Sequence, residues 1–144
     1  MPFYVLFLFR TILSARFKGF HDEGMPMLKL ESVGDVIASR ELTLDETSKV
    51  TVLIGKPLRL PIEREWEDWR CPYQKLGVGD DRVRCAYGID PVQALFLALQ
   101  MIGAELYCSE EYKAGRLDWD CGKVKGDLGF PVADIIRDVL PGGN

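Results

Sequence analysis

The sequence lacks any hydrophobic run long enough for a helix that spans a membrane. The apolar stretch Phe3 to Phe9 is only seven residues long and ends at Arg10, whereas a spanning helix needs about twenty apolar residues. A secretory signal carries positive charge before its apolar run, but here Arg10, Arg16 and Lys18 follow the run. We therefore expect a cytoplasmic chain without a transmembrane helix, with membrane tethering through residues 3–9 as an alternative.

Closely spaced metal ligands are also missing. The four cysteines are separated by thirteen, twenty-two and twelve residues. Zinc ribbons and redox motifs use Cys-x-x-Cys pairs because one turn must present two sulfurs to one centre. The single histidine, His21, has no neighbouring Cys or Ser. The sequence therefore predicts no metal site and no catalytic pair, and we expect reduced, mostly buried thiols. The cysteines are Cys71, Cys85, Cys108 and Cys121.

No nucleotide-binding loop is present, and the charge does not favour nucleic acid. The loop "GVGDDR" lacks the Gly-Lys-Ser/Thr ending of a phosphate-binding loop and the third glycine of a dinucleotide site. A net charge of −4 disfavours nonspecific attraction to phosphates. We expect neither a cofactor nor a nucleic-acid partner.

What is present indicates one globular domain. The chain has 144 residues, of which 47% are apolar and 28% charged, which is ordinary for a single domain with its own core. Gly24 and Pro26 mark a linker. We therefore predict an N-terminal extension over residues 1–30 and a domain over residues 31–144. The extension is expected to be an added edge strand, a covering helix or a nonnative segment before Met25 or Met27.

Period-two alternation predicts an antiparallel sheet of about four strands. "VIASRELTL" and "KVTVLIG" form a first hairpin, with Val50, Val52 and Ile54 inward and Arg40 as an exception on the inner face. "WRCPYQKLG" and "RVRCAYG" form a second pair, and "KPLRLPIEREWEDW" is expected to be a long exposed connection between the two. The inward set of the second pair is predicted to be Trp69, Cys71, Tyr73, Val83, Cys85 and Tyr87. Its turn contains Gly77, Gly79, Asp80 and Asp81.

The stretch "GIDPVQALFLALQMIGAELY", residues 88–107, predicts one long helix. Asp90 can cap its free amides, and Pro91 suits the first turn. The stripe expected to pack on the sheet consists of Val92, Leu95, Leu99, Ile102 and Leu106. The opposite flank is also apolar, so we expect the C-terminal region, with short helices in "SEEYKAG" and "FPVADIIRDVL", or the N-terminal apolar run to cover it. The alternative is a partner or dimer interface around Phe96 and Tyr107.

Three segments resemble a small bacterial domain family of unknown function. They are "GVGDDRVRCAYGIDPVQALFLALQMIGAEL", "GRLDW" and "LGFPVADIIRDVLP". In that family a G-x-G-D-x-R turn and strand precede a D-x-x-Q-A-L helix. The resemblance covers approximately residues 35–141 and implies an α+β domain of bacterial origin. It implies no activity.

Two further groups of residues are candidates for function. Arg70, Gln74, Arg82 and Arg84 are expected to share the outward face of the last two strands, where they could bind a partner or pair with acidic residues. Asp80 and Asp81 could bind an anion or a metal ion, although a hairpin turn needs the same residue types. Trp66 and Trp69 are interpreted as packing residues, with a ligand pocket as the alternative.

These expectations favour a noncatalytic protein-interaction module of accessory or immunity type. It would bind an unknown protein or a second copy of itself. The alternative is a small hydrolase or metal-dependent enzyme that uses Asp80 and Asp81. An enzyme predicts that these carboxylates converge in a cleft, whereas the interaction module predicts a solvated turn.

Overall fold

The computed structural model describes residues 30–60, 69–121, 124–132 and 134. Within them, six strands form one antiparallel sheet, and one main helix packs on it. This confirms the mixed α and β class. The predicted number of about four strands was too low, because two of the six strands contain only two residues each and give no alternation in the sequence. The elements are β1 (Val36–Leu44), β2 (Ser48–Gly55), β3 (Leu58–Arg59), β4 (Trp69–Leu76), β5 (Val83–Gly88), α1 (Pro91–Tyr107), α2 (Glu110–Lys113) and β6 (Leu117–Asp118).

Strand β4 organises the sheet. It pairs with β5 along six residues, whereas its other edge pairs with β3 at its start and with β2 at its end. Pro72 falls between the segments that pair with β3 and β2, so its missing N–H interrupts neither ladder. Leu58 and Arg59 are exposed as predicted for the connection, but they form the short strand β3, which the sequence did not predict. The remaining strands follow in the order β2, β1, β6.

The helix-facing side of the sheet, called the inner face, carries the core. Val50, Val52 and Ile54 of β2 are buried, as their alternation predicted. Opposite residues of antiparallel strands share a face, so Cys71 and Tyr73 of β4 join this core, and both are fully buried. Helix α1 packs over β4 and β5.

The predicted inward set of β5 is wrong. Ala86 lies opposite Cys71 and is 1% exposed, whereas Tyr87 lies on the other face and is 52% exposed. The reason is the close approach of α1. A Cβ added to Gly88 would lie only 2.5 Å from the backbone nitrogen of Ala94, so the end of the strand presents the small residues Ala86 and Gly88 to the helix.

The residues of α1 that pack on the sheet also differ in part from the predicted set. Ile102 and Leu106 are buried as expected, but Ala94 and Ala98 occupy the sheet-facing positions of the first two turns. Val92, which was expected to pack on the sheet, is 75% exposed. Leu95 and Leu99 are partly buried at the side of the core.

Several predicted features lie outside the described residues. They include the extension over residues 1–29 with His21, the tryptophan at position 66, and all but the first residues of the C-terminal segment "FPVADIIRDVL". The predicted helical turn in "SEEYKAG" is confirmed as α2. Ser109 caps it, and Gly115 follows it with a φ of +71°.

Candidate functional site

The start of α1 carries the most exposed apolar surface of the helix. Ile89, Val92 and Phe96 are 69%, 75% and 52% exposed. Val92 and Phe96 are four residues apart and therefore follow one another along one side of the helix, and Ile89 directly precedes the capping residue Asp90. We call these three residues the exposed stripe.

Local hydrogen bonds fix how this stripe is presented. Asp90 has an extended backbone, and its Oδ1 accepts a hydrogen bond from the Gln93 amide at 2.8 Å. The Gln93 side chain returns to accept from the Ile89 amide, also at 2.8 Å. This reciprocal pair resembles a capping box and satisfies two free donors. Ile89 is therefore held in a defined position before the first turn.

The second half of the same side of α1 is covered by residues 126–132, which we call the strap. Tyr107 is 5% exposed; its hydroxyl accepts from the Leu128 amide at 3.0 Å and lies 3.3 Å from an Asp127 carboxylate oxygen. At Gly103 the contact is closer still, because an added Cβ would overlap the carbonyl oxygen of Pro131. The C-terminal region thus covers the apolar flank, but only over its second half.

Arg40 attaches the strap to the sheet. Its guanidinium lies 4.3 Å from the ring centre of Trp119 and 4.6 Å from that of Phe130. It also donates to the carbonyl oxygens of Leu128 and Gly129, at 3.2 and 2.5 Å. Arg40, the one charged residue predicted on the inner face of β1, therefore has backbone acceptors for its guanidinium and two aromatic neighbours.

A polar cluster around Glu105 closes the other end of α1. Tyr73 donates to Glu105 Oε1 at 2.7 Å, and Arg84 Nη1 lies 3.4 Å from the same oxygen. Lys75 Nζ lies 2.6 Å from Oε2, as an ion pair that is not aligned as a hydrogen bond. Burial raises the pKa of Tyr73 above its ordinary value, and the neighbouring carboxylate adds to this. The cluster thus connects α1 to both β4 and β5.

The arginine face predicted for the last two strands does not exist as one surface. Arg70 and Gln74 lie on the outer face, opposite Tyr87 and Val83, whereas Arg84 lies opposite Tyr73 on the inner face. Gln74 donates to the Asp81 carbonyl oxygen at 2.7 Å. Arg82 is highly exposed and lies 3.6 Å from Asp80. A role of these residues in partner binding stays a prediction.

The carboxylates of Asp80 and Asp81, in the predicted turn, accept hydrogen bonds from neighbouring residues of the same hairpin. Asp80 accepts two hydrogen bonds from Arg84 at 3.0 and 3.1 Å, and Asp81 Oδ1 accepts from the Gly77 amide at 2.9 Å. The hydrogen bond from Arg84 lowers the pKa of Asp80 below its ordinary range. Both aspartates are exposed. Among the described residues, no three His, Cys, Asp or Glu side chains are grouped to hold a metal ion.

Comparison with known proteins gives one match. A family model described as a domain of unknown function, DUF6968, matches residues 38–132. The chain belongs to this family. No curated protein and no solved structure matches the chain. The match to DUF6968 agrees with the resemblance to a domain family of unknown function that the sequence indicated.

Within this DUF6968 domain, the two helix residues predicted to form an interface differ in their exposure. Phe96 is exposed, as expected for a contact surface, whereas Tyr107 is buried under the strap. Sequence reasoning missed Ile89 and assigned Val92 to the core. The alanines at positions 94 and 98 were the signal, because small residues spaced by four mark the side of a helix that approaches a sheet most closely.

The remaining predicted residues occupy ordinary positions in the domain. All four cysteines are free, but the expectation of mostly buried thiols is wrong, since only Cys71 is buried and Cys108 and Cys121 are exposed. Cys71 and Cys85 lie on opposite faces of the sheet. Trp69 is partly buried against the core, which agrees with its interpretation as a packing residue. None of the described helices is long and apolar enough to cross a membrane.

Proposed function

We propose that this DUF6968 domain is a noncatalytic protein-interaction module that binds another protein through the exposed stripe. The observation that carries the proposal is the exposure of Ile89, Val92 and Phe96 at the start of α1. Val92 and Phe96 lie one turn apart in α1, and exposed apolar residues at this spacing are typical of a helix that lays an apolar side into a hydrophobic groove. Contiguous apolar surface on a small domain often marks such a contact.

Rigid presentation supports this function. The hydrogen bonds between Asp90, Gln93 and Ile89 order the start of the helix before a partner binds. Gly88 packs closely against Ala94, so the first turn of the helix lies directly on the end of β5. A surface that is already ordered loses less conformational entropy on binding, so a small apolar area gains more affinity.

The finer role remains part of the proposal. An accessory or immunity-type function rests on analogy with small acidic bacterial domains, and the net charge of −4 is consistent with it. A bacterial origin and a cytoplasmic location belong to the same proposal. The enzyme alternative has less support, since Asp80 and Asp81 are engaged in a solvated turn. Residues 3–9, on which tethering depends, lie outside the described residues.

Charge substitution within the stripe tests the function. Val124 is 67% exposed and lies outside the stripe, so Val124→Glu is a matched control for Phe96→Glu. A partner recovered by affinity capture is purified, and its Kd is measured by calorimetry for each variant. We expect Phe96→Glu to weaken binding at least tenfold and Val124→Glu to leave it unchanged. Equal affinity for all three proteins would refute binding through the stripe.

The same pair of variants identifies self-association. If light scattering shows a dimer for the wild type and for Val124→Glu but a monomer for Phe96→Glu, the partner is a second copy. Circular dichroism must show that each variant keeps its helix content. The double change Arg82→Glu, Arg84→Glu is less informative, since it would break the pairing of both arginines with Asp80.

A further inference from the structure

The outer face of the sheet carries a row of residues centred on Arg70 of β4. Arg70 lies opposite Tyr87 of β5 on one side and opposite Leu58 of β3 on the other. The next outward residue of β4, Pro72, is fully buried and lies opposite Cys85. Opposite residues of antiparallel strands lie close together, and alternate residues of a strand share a face. The charge of Arg70 therefore lies among apolar, aromatic and thiol side chains, on the side of the sheet away from α1.

The guanidinium of Arg70 has an unsatisfied donor. Its Nε is buried and has no hydrogen-bond partner among the described residues. The guanidinium groups of Arg40, Arg84 and Arg116, in contrast, each donate to a carbonyl or carboxylate oxygen. Neither strand residue paired with Arg70 is acidic. Because buried donors in proteins are generally paired, this exception indicates that an acceptor from outside the domain belongs here.

The two ionisable neighbours of Arg70 do not balance its charge at neutral pH. Burial raises the pKa of the Cys85 thiol above its ordinary value, although the positive charge of Arg70 acts in the opposite direction. Burial also raises the pKa of the Tyr87 hydroxyl, and Arg70 again opposes this rise. Both side chains are therefore neutral at neutral pH. Arg70 thus lies close enough to act on both groups and still has no negative charge beside it.

We propose that Arg70 and Tyr87 form a binding site for a carboxylate on the outer face of the sheet. The site is separate from the exposed stripe and does not depend on the proposed function. A planar guanidinium presents its donors as a fork that fits the two oxygens of a carboxylate. One cation among uncharged side chains suits a monovalent carboxylate, whereas a phosphate dianion would leave a second charge unbalanced.

The surroundings of Arg70 define the rest of the ligand. The ring of Tyr87 and the side chain of Leu58 are both exposed, so they offer apolar contacts beside the charge. Nε is buried, so a ligand reaches it only after a neighbouring side chain moves, and exposed side chains such as Tyr87 change rotamer within nanoseconds. The ligand is therefore a carboxylate next to an apolar group, carried by a small molecule or by an acidic side chain of a protein.

Cys85 reports on this site, and Cys108 and Cys121 serve as controls in the same molecule because both are exposed. Modification of each thiol in the full chain is followed by mass spectrometry, with sodium benzoate as the probe. Its uncharged analogue benzamide, with sodium chloride to match the ionic strength, is the control. We expect benzoate to slow modification of Cys85 by about threefold or more, because a bound carboxylate covers the thiol and cancels the charge that favours the thiolate. Benzamide should not slow it, and the rates of Cys108 and Cys121 should stay unchanged.

Substitution of Arg70 tests whether this side chain holds the probe. Arg70→Met should abolish the protection of Cys85, whereas Arg82→Met, at a highly exposed arginine outside the row, should retain it. Arg70→Lys keeps the charge but loses the fork, so it should weaken the protection even if Arg70→Met does not fold. Circular dichroism checks the fold of each variant. Protection that persists in Arg70→Met or Arg70→Lys at the level of the wild type would overturn the proposal, as would equal effects of benzoate and benzamide.

A short peptide with blocked ends and one glutamate between leucines distinguishes the two sources of the carboxylate. Protection of Cys85 by this peptide, but not by its glutamine analogue, assigns the carboxylate to a protein side chain. Protection by benzoate alone assigns it to a small molecule. If neither probe protects Cys85, the proposal is wrong. Phe96→Glu, which changes the exposed stripe, should be protected like the wild type, so failure of the carboxylate site and failure of the proposed function are separate results.

Discussion

Replacing Gly103 by alanine tests the contact between the strap and α1 most directly. Alanine is favoured over glycine inside a helix by about 1 kcal/mol, so helix propensity alone predicts a stabilised protein. In this fold the new Cβ would overlap the carbonyl oxygen of Pro131 and lie 3.2 Å from Cβ of Phe130. The first of these atoms belongs to the backbone, so the strap itself must shift.

The two effects have opposite signs, and the clash should be the larger. Overpacking of a close contact costs about 1 to 3 kcal/mol, and the gain in propensity offsets about 1 kcal/mol of this. We therefore expect Gly103→Ala to lower the free energy of unfolding by about 1 kcal/mol.

Urea unfolding followed by circular dichroism at 222 nm measures this difference. Gln100→Ala, at a partly exposed position of the same helix, is the matched control and should change the free energy of unfolding by less than about 0.5 kcal/mol. The slope of the transition should be the same in all three proteins, which shows that the unfolded states are comparable. A higher urea midpoint for Gly103→Ala would refute the strap contact.

Three further predictions concern single groups. Arg40→Met leaves two strap carbonyl groups without a donor and should lower the free energy of unfolding by about 1 to 3 kcal/mol. An unchanged thermal midpoint would contradict this expectation. Because Arg84 lowers the pKa of Asp80, their pairing stabilises the fold above the unfolded pKa of about 3.9 and is lost as pH falls through the folded pKa. The stability difference between wild type and Arg84→Met should therefore shrink below about pH 4 in urea titrations, and a constant difference would contradict the pairing. Burial raises the pKa of Cys71 to about 11. A thiol reagent at pH 8 should therefore modify exposed Cys108 quickly and Cys71 only after unfolding. Equal modification rates of the two thiols would contradict the burial of Cys71.

Much of the fold was predictable because its signals are local. The alternation of Val50, Val52 and Ile54 identified β2 and its buried face, and Asp90 with Pro91 marked the start of α1. Ser109 and Gly115 likewise marked the limits of α2. For the two helices, neighbouring residues in the chain provide the hydrogen bonds or backbone angles that the element needs, and for β2 the local alternation itself is the signal.

The candidate site was predictable only in part. An unusually apolar flank on α1 was visible in the sequence, and Phe96 was named from it. Which half of that flank remains exposed depends on the strap, which contacts Gly103 and Tyr107 but does not reach Phe96 among the described residues. Contacts between residues more than twenty positions apart leave no periodic signal in the sequence.

The sequence by itself determined the four longer strands, the two helices, their order and the caps of the helices, because these depend on interactions over a few residues. It did not reveal the two-residue strands β3 and β6, which form only by pairing with distant strands. Only the tertiary structure decided which sides face one another. Helix α1 lies so close to β5 that Gly88 and Ala94 must meet, and this reverses the expected burial of Tyr87 and Val92. The distance between packed elements is a property of the whole core, so larger apolar side chains were displaced to the surface where the candidate site lies.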